Sequence, residues 1–308
     1  MKNMEKVLQE IVEKNRKYCK EGKVADYIPE LAKANPEHIA VAIADNDGNI
    51  YTAGDSNVRF CIESISKTVV LALALKDKGA ERVFRDIGME PTGDPFNSII
   101  KLATTAGHKP YNPYINAGAI ATTSLIRGAT PEEKFERILQ FTRQIAENQD
   151  IDLNYEVYMS EAATGDTNRS LAYFMKAGGF MEGEIEDILE VYFKQCSINV
   201  TAVDLARIAL FFARGGVLSN GERVLEEEEA KIVKALMVTC GMYDSSGEYM
   251  VKVGIPSKSG VGGGIIGCIP GKYGICTFSP ALDEKGNSVA GYHMMKDISK
   301  ELKLSFLG

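Results

Sequence analysis

Residues 39–55, IAVAIADNDGNIYTAGD, carry alternating apolar residues on either side of Asn46-Asp47-Gly48. Turn-forming residues between two short β-like runs predict an antiparallel hairpin. A second group of the same kind lies near the other end of the chain. Residues 262–280, GGGIIGCIPGKYGICTFSP, and then 286–295, GNSVAGYHMM, supply three more apolar runs punctuated by Gly and Pro. They read as further antiparallel strands.

Between the two groups the character changes. From about 64 to 239 helical periodicity dominates, in TVVLALALKDKG (68–79), PEEKFERILQFTRQIAEN (131–148), EIEDILEVYFKQ (184–195), VTAVDLARIALFFARGG (200–216) and EEEEAKIVKALMVTC (226–240). Thr130-Pro131-Glu132-Glu133 is a helix start, and Gly215-Gly216 a stop. Strands gathered apart from helices predict an α+β fold. Its antiparallel sheet is built from both chain ends with flanking helices, residues 1–63 and 240–308, and an all-helical lobe, 64–239, is inserted between them. The two parts form one catalytic unit, with a small-molecule site expected in the cleft between them.

Composition narrows the class of function. The chain has 308 residues and a net charge of −7, which argues against nucleic acid or an anionic membrane as partner, since both need a basic face. Residues 1–22, MKNMEKVLQEIVEKNRKYCKEG, interrupt their apolar positions with charges and read as an amphipathic helix, not a secretory signal. No stretch approaches the roughly 18 apolar residues of a membrane span. The six cysteines are scattered without a CxxC spacing and are expected to be reduced core thiols of a cytoplasmic protein. The three histidines, His38, His108 and His293, form no metal-ligand pattern and sit in no nucleophile elbow. No metal or cofactor is therefore implied, and a hydrolase here needs a nucleophile activated without histidine.

Ser64-Ile65-Ser66-Lys67 supplies one. It follows a β-like segment, residues 58–62, and opens an apolar helix running to about Leu75. Positions i and i+3 share a helix face, so the lysine amine is expected within reach of the serine hydroxyl. Burial and the positive helix end both disfavour an ammonium, which makes a neutral Lys67 a proton acceptor. The Ser64 backbone N–H at that terminus is a candidate oxyanion donor. The motif alone is weak, because Ser98-Ile99-Ile100-Lys101 repeats it; with no supporting surroundings, that copy reads as a short helix with a solvated lysine. Support for Ser64 comes from Lys258-Ser259-Gly260, just before an apolar β-run, which resembles the K-[ST]-G strand of serine penicillin-recognising sites. The glycines around Val261 allow a backbone N–H to approach a reacting carbonyl. Polar residues also gather at 112–119, in a compact turn at 160–169, at 192–199 and at 241–244. On spacing alone, Asn112, Thr167 and Asn199 read as caps and loop residues.

Taken together, GKVADYIPELA (22–32), ESISK (63–67), NPYINAGAI (112–120), MSEAATGDTNRS (159–170), VYFKQCSINVT (191–201), GMYDSSGEY (241–249) and PSKSGVGGGI (256–265) resemble, in order, the bacterial serine-dependent glutaminases, whose catalytic domain has the β-lactamase fold. The resemblance runs from about residue 23 to 295. It implies hydrolysis of L-glutamine, with Ser64 as nucleophile, Lys67 as general base and the Ser64 and Val261 N–H groups as oxyanion hole. It implies that Asn116, Glu161 and Asn168 bind the amino-acid end of the substrate. Tyr192 and Tyr243 correspond to active-site tyrosines and Tyr27 to a residue of the pocket wall. Ammonia would leave after protonation through Lys67 or a tyrosine, Tyr243 ahead of Tyr192. A homodimer or homotetramer is also implied. Glu63 departs from the many members with glutamine before the nucleophile, and the β-lactamase SDN motif is missing. The competing readings are a penicillin-recognising hydrolase of the same fold and a non-catalytic amino-acid sensor.

Overall fold

The computed structural model describes residues 4–104 and 108–308. Its strands, in chain order, are β1 (Ala40–Asp45), β2 (Ile50–Gly54), β3 (Phe60–Cys61), β4 (Asp152–Leu153), β5 (Ile198–Val200), β6 (Ser257–Ser259), β7 (Gly264–Ile269) and β8 (Tyr273–Phe278). The expected hairpin is β1–β2, paired from Ala40 with Gly54 to Ala44 with Ile50. Its turn closes because the Asp45 carboxylate accepts the amides of Asp47 at 2.9 Å and Asn49 at 2.8 Å, while Gly48 takes a φ of +86°, open to glycine at no steric cost. β1 also pairs antiparallel with β8, so the two chain ends join in one sheet of order β2-β1-β8-β7-β6. A small second sheet, β3-β5-β4, ties the segment before Ser64 to the helical stretch. The α+β architecture with a sheet from both ends is as the sequence predicts.

The period-2 rule decides the two faces of the main sheet. Val41 and Ile43 join Ile265 and Ile275 in one buried cluster, against Val7, Leu8, Ile11 and Val12 of helix Met4–Asn15 and Met294 and Ile298 of helix Val289–Leu302. Ala40, Ala42 and Ala44 belong to the opposite cluster, with Ile266, Cys276 and the helices of the central stretch. Helix Ala202–Ala213 lies directly on that face, across β1, β7 and β8. Small residues are needed there. A Cβ on Gly274 would stand 2.1 Å from both the Ala206 carbonyl oxygen and the Leu210 nitrogen.

Two segments differ from expectation. The third apolar run, 286–295, is not a strand but the start of helix Val289–Leu302, whose Ser288 cap accepts the Gly291 amide at 3.1 Å. A short apolar run between glycines fits either structure, and the buried set Ala290, Gly291, Met294, Met295 and Ile298 has the helical period. Residues 160–169 are not a turn either. Helix Tyr155–Thr164 passes to helix Asp166–Ala177 through Gly165 alone, where a Cβ would meet the Phe193 ring at 2.4 Å. Among the described residues, no helix is long and apolar enough to cross a membrane. All six cysteines are buried and unpaired.

Candidate active site

Ser64 sits in a single 3-10 turn, Glu63–Ile65, that runs into helix Ser66–Lys78. The Ile62 amide donates to the Ile198 carbonyl at 2.8 Å, which anchors this turn to β5. Glu63 has a φ of +49°, a left-handed conformation uncommon for a residue with a side chain. The sharp turn places the Glu63 and Ser64 side chains on the wall of one cavity of about 310 Å³. That is near the lower end of the roughly 300–1,000 Å³ typical of small-ligand sites. A larger open depression of about 940 Å³, bordered by Glu132, Glu136 and Gln140, lies elsewhere. Its lining includes neither Ser64 nor the buried polar groups around it, so the smaller cavity is the candidate active site.

Lys67, one helical turn on, is fully buried. Its Nζ does not hydrogen-bond to Ser64, contrary to expectation, but donates to Asn116 Oδ1 at 2.7 Å and to the Tyr114 carbonyl at 3.2 Å. The i,i+3 rule gives proximity only; an amine buried among acceptors turns to them. Burial pushes its pKa down to about 8, against the opposing pull of Cys196, Glu161 and Glu63. Asn116 opens helix Asn116–Ser124, its amide held by the Phe96 carbonyl at 2.8 Å. Its Nδ2 donates to Asn168 Oδ1 at 3.0 Å, so Lys67, Asn116 and Asn168 form one chain of hydrogen bonds. Glu161 and Asn168 reach the cavity from the two helices that meet at Gly165.

Tyr192, buried, lines the same space from helix Ile185–Cys196, and Tyr27 lines it while remaining half-exposed. Burial holds the Tyr192 hydroxyl far above its ordinary pKa, with Cys196 and Glu161 adding to the rise. Tyr243 approaches from the other side, with a φ of +54°. Its hydroxyl donates to the Ser259 carbonyl at 3.3 Å; burial raises its pKa, and the adjacent Ser64 hydroxyl works against that rise. Beneath it, Lys258 is fully buried, with Nζ 4.6 Å from the Tyr243 ring centroid. Burial, helped by Lys67, drives its pKa well down.

Val261 stands in the turn after β6, closed by a Gly263 amide donating to the Gly260 carbonyl at 2.9 Å. This turn lies against the Ser64 segment. A Cβ on Gly262 would be 2.2 Å from the Cys61 carbonyl oxygen, and one on Gly260 would be 2.9 Å from that of Ile62. Among the described residues, no acceptor takes the Val261 N–H.

The structure thus gathers Tyr27, Ser64, Lys67, Asn116, Glu161, Asn168, Tyr192, Tyr243 and Val261 into one neighbourhood. Of the residues read as caps, Asn112 accepts the Tyr114 amide at 2.9 Å and Asn199 donates to Asp152 at 3.1 Å, but Thr167 lines the cavity. Sequence reasoning missed Phe96, Asn97 and Cys196, which also line it. Glu63 was visible only as a departure from a family pattern. Among the described residues, Glu63, Glu161 and Cys196 are the one trio whose potential metal-ligand atoms lie within 4.8 Å of one another. Burial and the two carboxyl groups keep the Cys196 thiol protonated, and a thiol is a poor ligand until it ionises.

Residues 22–307 match the family model described as Glutaminase. The chain is 55% identical over 303 residues to Glutaminase 2 of Clostridium perfringens, covering 98% of this chain and 99% of that one. It is also 55% identical to the glutaminase of Fusobacterium nucleatum, again over 98% and 99%. Among solved structures, the probable glutaminase ybaS is 42% identical with a TM-score of 0.93, covering 98% of this chain and 99% of that one. The covalent complex of the Bacillus subtilis glutaminase YbgJ with 5-oxo-L-norleucine, formed with 6-diazo-5-oxo-L-norleucine, is 36% identical with a TM-score of 0.91, over 99% and 100%.

Proposed function

The chain belongs to the glutaminase family, a family of amidohydrolases with the β-lactamase-like fold, and on that premise we propose that it hydrolyses L-glutamine through a γ-glutamyl ester on Ser64. The observation that carries this reading is Lys67, buried one turn from Ser64 with its pKa pushed down to about 8. As a neutral amine, Lys67 has two hydrogens, matched by the Tyr114 and Asn116 oxygens it contacts. Its lone pair is then left to accept the Ser64 proton.

Ser64 Oγ attacks the carboxamide carbon, and the Ser64 and Val261 N–H groups stabilise the oxyanion. As the tetrahedral intermediate collapses, the C–N bond breaks, the proton held by Lys67 passes to the leaving nitrogen and ammonia departs. Tyr243, beside Ser64, is the better placed tyrosine to relay that proton. Water then adds to the ester with Lys67 again as base, and L-glutamate is released. Glu161 pairs the substrate α-ammonium, while Asn116 and Asn168 donate to its carboxylate without adding charge. Tyr27 and Tyr192 close the walls. The covalent complex that the Bacillus subtilis relative forms on reaction with 6-diazo-5-oxo-L-norleucine supports a covalent step. The six unpaired thiols support a reducing, cytoplasmic location, and the family resemblance supports a homo-oligomer, which light scattering on a sizing column reads directly.

The test is ammonia release from L-glutamine, L-asparagine and D-glutamine, wild type beside Ser64→Ala. L-Glutamine is the expected substrate, and Ser64→Ala the inactive variant. Equal activity in both proteins removes Ser64 from the mechanism. Turnover of a chromogenic β-lactam with none of glutamine overturns the substrate.

A further inference from the structure

Two of the buried polar atoms without a partner belong to carboxyl groups on one cavity wall, Glu63 Oε1 and Glu161 Oε2. Their residues are 3% and 8% exposed, so bulk solvent does not reach these oxygens. An ionised carboxylate only accepts, and a buried polar atom left without a hydrogen bond is costly. The charged and titratable neighbours are Lys67, Cys61, Cys196, Tyr27, Tyr192 and Tyr243. Lys67 directs its hydrogens at Asn116 and Tyr114, and none of the others donates to either carboxyl. Two donors remain available: a proton on one carboxyl, and the ammonium group of a bound amino acid.

We propose that Glu63 is a positioning residue that keeps a proton, donates it to the Glu161 carboxylate and so fixes Glu161 to receive the substrate α-ammonium. This rests on the glutamine-hydrolase reading. Two buried carboxylates side by side do not both ionise. Burial raises both groups, but the hydrogen bond between them raises Glu63 further and pulls Glu161 back, which makes Glu63 the member that holds the proton. The left-handed turn at Glu63 gives the arrangement a second consequence. The residue that orients the ammonium site is bonded directly to the residue carrying the nucleophile, so the two ends of the substrate are referred to one rigid turn.

The experiment measures kcat and KM for L-glutamine, and the inhibition constant of glutaramic acid (glutamine without its α-amino group) as a competitor, in wild type, Glu63→Ala and Glu63→Gln. Glu63→Ala should raise KM by about tenfold or more, with kcat within about threefold, the size of a lost hydrogen bond to a charged group. It should leave the glutaramic acid constant unchanged, because that ligand has no ammonium to place. Glu63→Gln retains a donor and should restore KM. An equal loss for both ligands makes Glu63 mere scaffolding and overturns the proposal; so does a glutamine variant as poor as the alanine one. If Glu63→Ala fails to fold, Glu63→Gln decides, a wild-type KM supporting the assignment and a tenfold rise overturning it. If wild type releases no ammonia from L-glutamine, the catalytic reading fails on its own. Thermal shifts with L-glutamate and glutarate in the same variants then decide the role of Glu63.

Discussion

Ser64-Ile65-Ser66-Lys67 and Ser98-Ile99-Ile100-Lys101 share one spacing and almost one composition. At the second, Ser98 caps helix Ile99–Thr104 by accepting the Lys101 amide at 3.4 Å, and the Lys101 amine lies 5.2 Å from the Tyr111 ring centroid near the surface. At the first, the serine hydroxyl faces a cavity, the preceding residue is left-handed, and the lysine is sealed beneath Asn116 and Tyr114. The difference teaches that S-x-x-K is a spacing, and that on the proposed reading desolvation is what turns it into a nucleophile and base. The low dielectric that makes an ammonium costly is supplied by residues far away in sequence.

The widest separation between the two copies is expected on removing the serines. Ser64→Ala should lower kcat by about 10⁴-fold or more, while Ser98→Ala stays within about twofold, both read by ammonia release. Similar losses in the two variants would dissolve the contrast. Next, Lys67→Met should cost about 10²–10⁴ in kcat, against no measurable change for Lys101→Met. The base must be neutral to act, so wild-type kcat/KM should climb through about pH 8. Stability follows with a definite sign. Below about pH 8 the fold bears a buried ammonium, and this burden, on the order of 3 kcal/mol at most, fades by the pH at which the unfolded lysine also deprotonates. Denaturant titrations at pH 7 and pH 10 should show that gain in wild type and lack Lys67's share of it in Lys67→Met.

A smaller effect tests the oxyanion hole. Gly262→Ala must push the Val261 turn away from the Cys61 carbonyl, and loss of one such donor costs about 10²–10³ in kcat. An unaffected kcat in a folded Gly262→Ala would remove Val261 from the reaction. Least of all, Ser98→Ala should destabilise the protein by about 1 kcal/mol through its lost cap, visible in a denaturant midpoint and absent from kcat.

What could be read from the residues followed the range of the interactions. The β1–β2 hairpin is written locally in Asn46-Asp47-Gly48, and helix Pro131–Ala146 in Thr130 and Pro131. Residues 286–295 misled because a short apolar run between glycines serves strand or helix equally, and only the sheet face it covers decides. Residues 160–169 misled because one glycine, Gly165, does the work of a loop where Phe193 leaves no room for a side chain. The residues gathered around the cavity were legible as motifs, but not their connections. Nothing near Lys67 announces that its partner is Asn116, and nothing near Glu63 announces Glu161. Such pairings appear only once helices from distant segments converge on one cavity.

The two left-handed residues beside Ser64, Glu63 and Tyr243, bear on any attempt to harden this protein by laboratory evolution. Glycine at either position relaxes the backbone at a gain of about 1 kcal/mol. A screen scored on heat survival alone will therefore favour Glu63→Gly, which on the proposed reading gives up the side chain that positions Glu161; Tyr243→Gly is held back because it also deletes a ring packed on Phe96 and Lys258. Robustness and turnover compete at codon 63, so selection must score both from the first round.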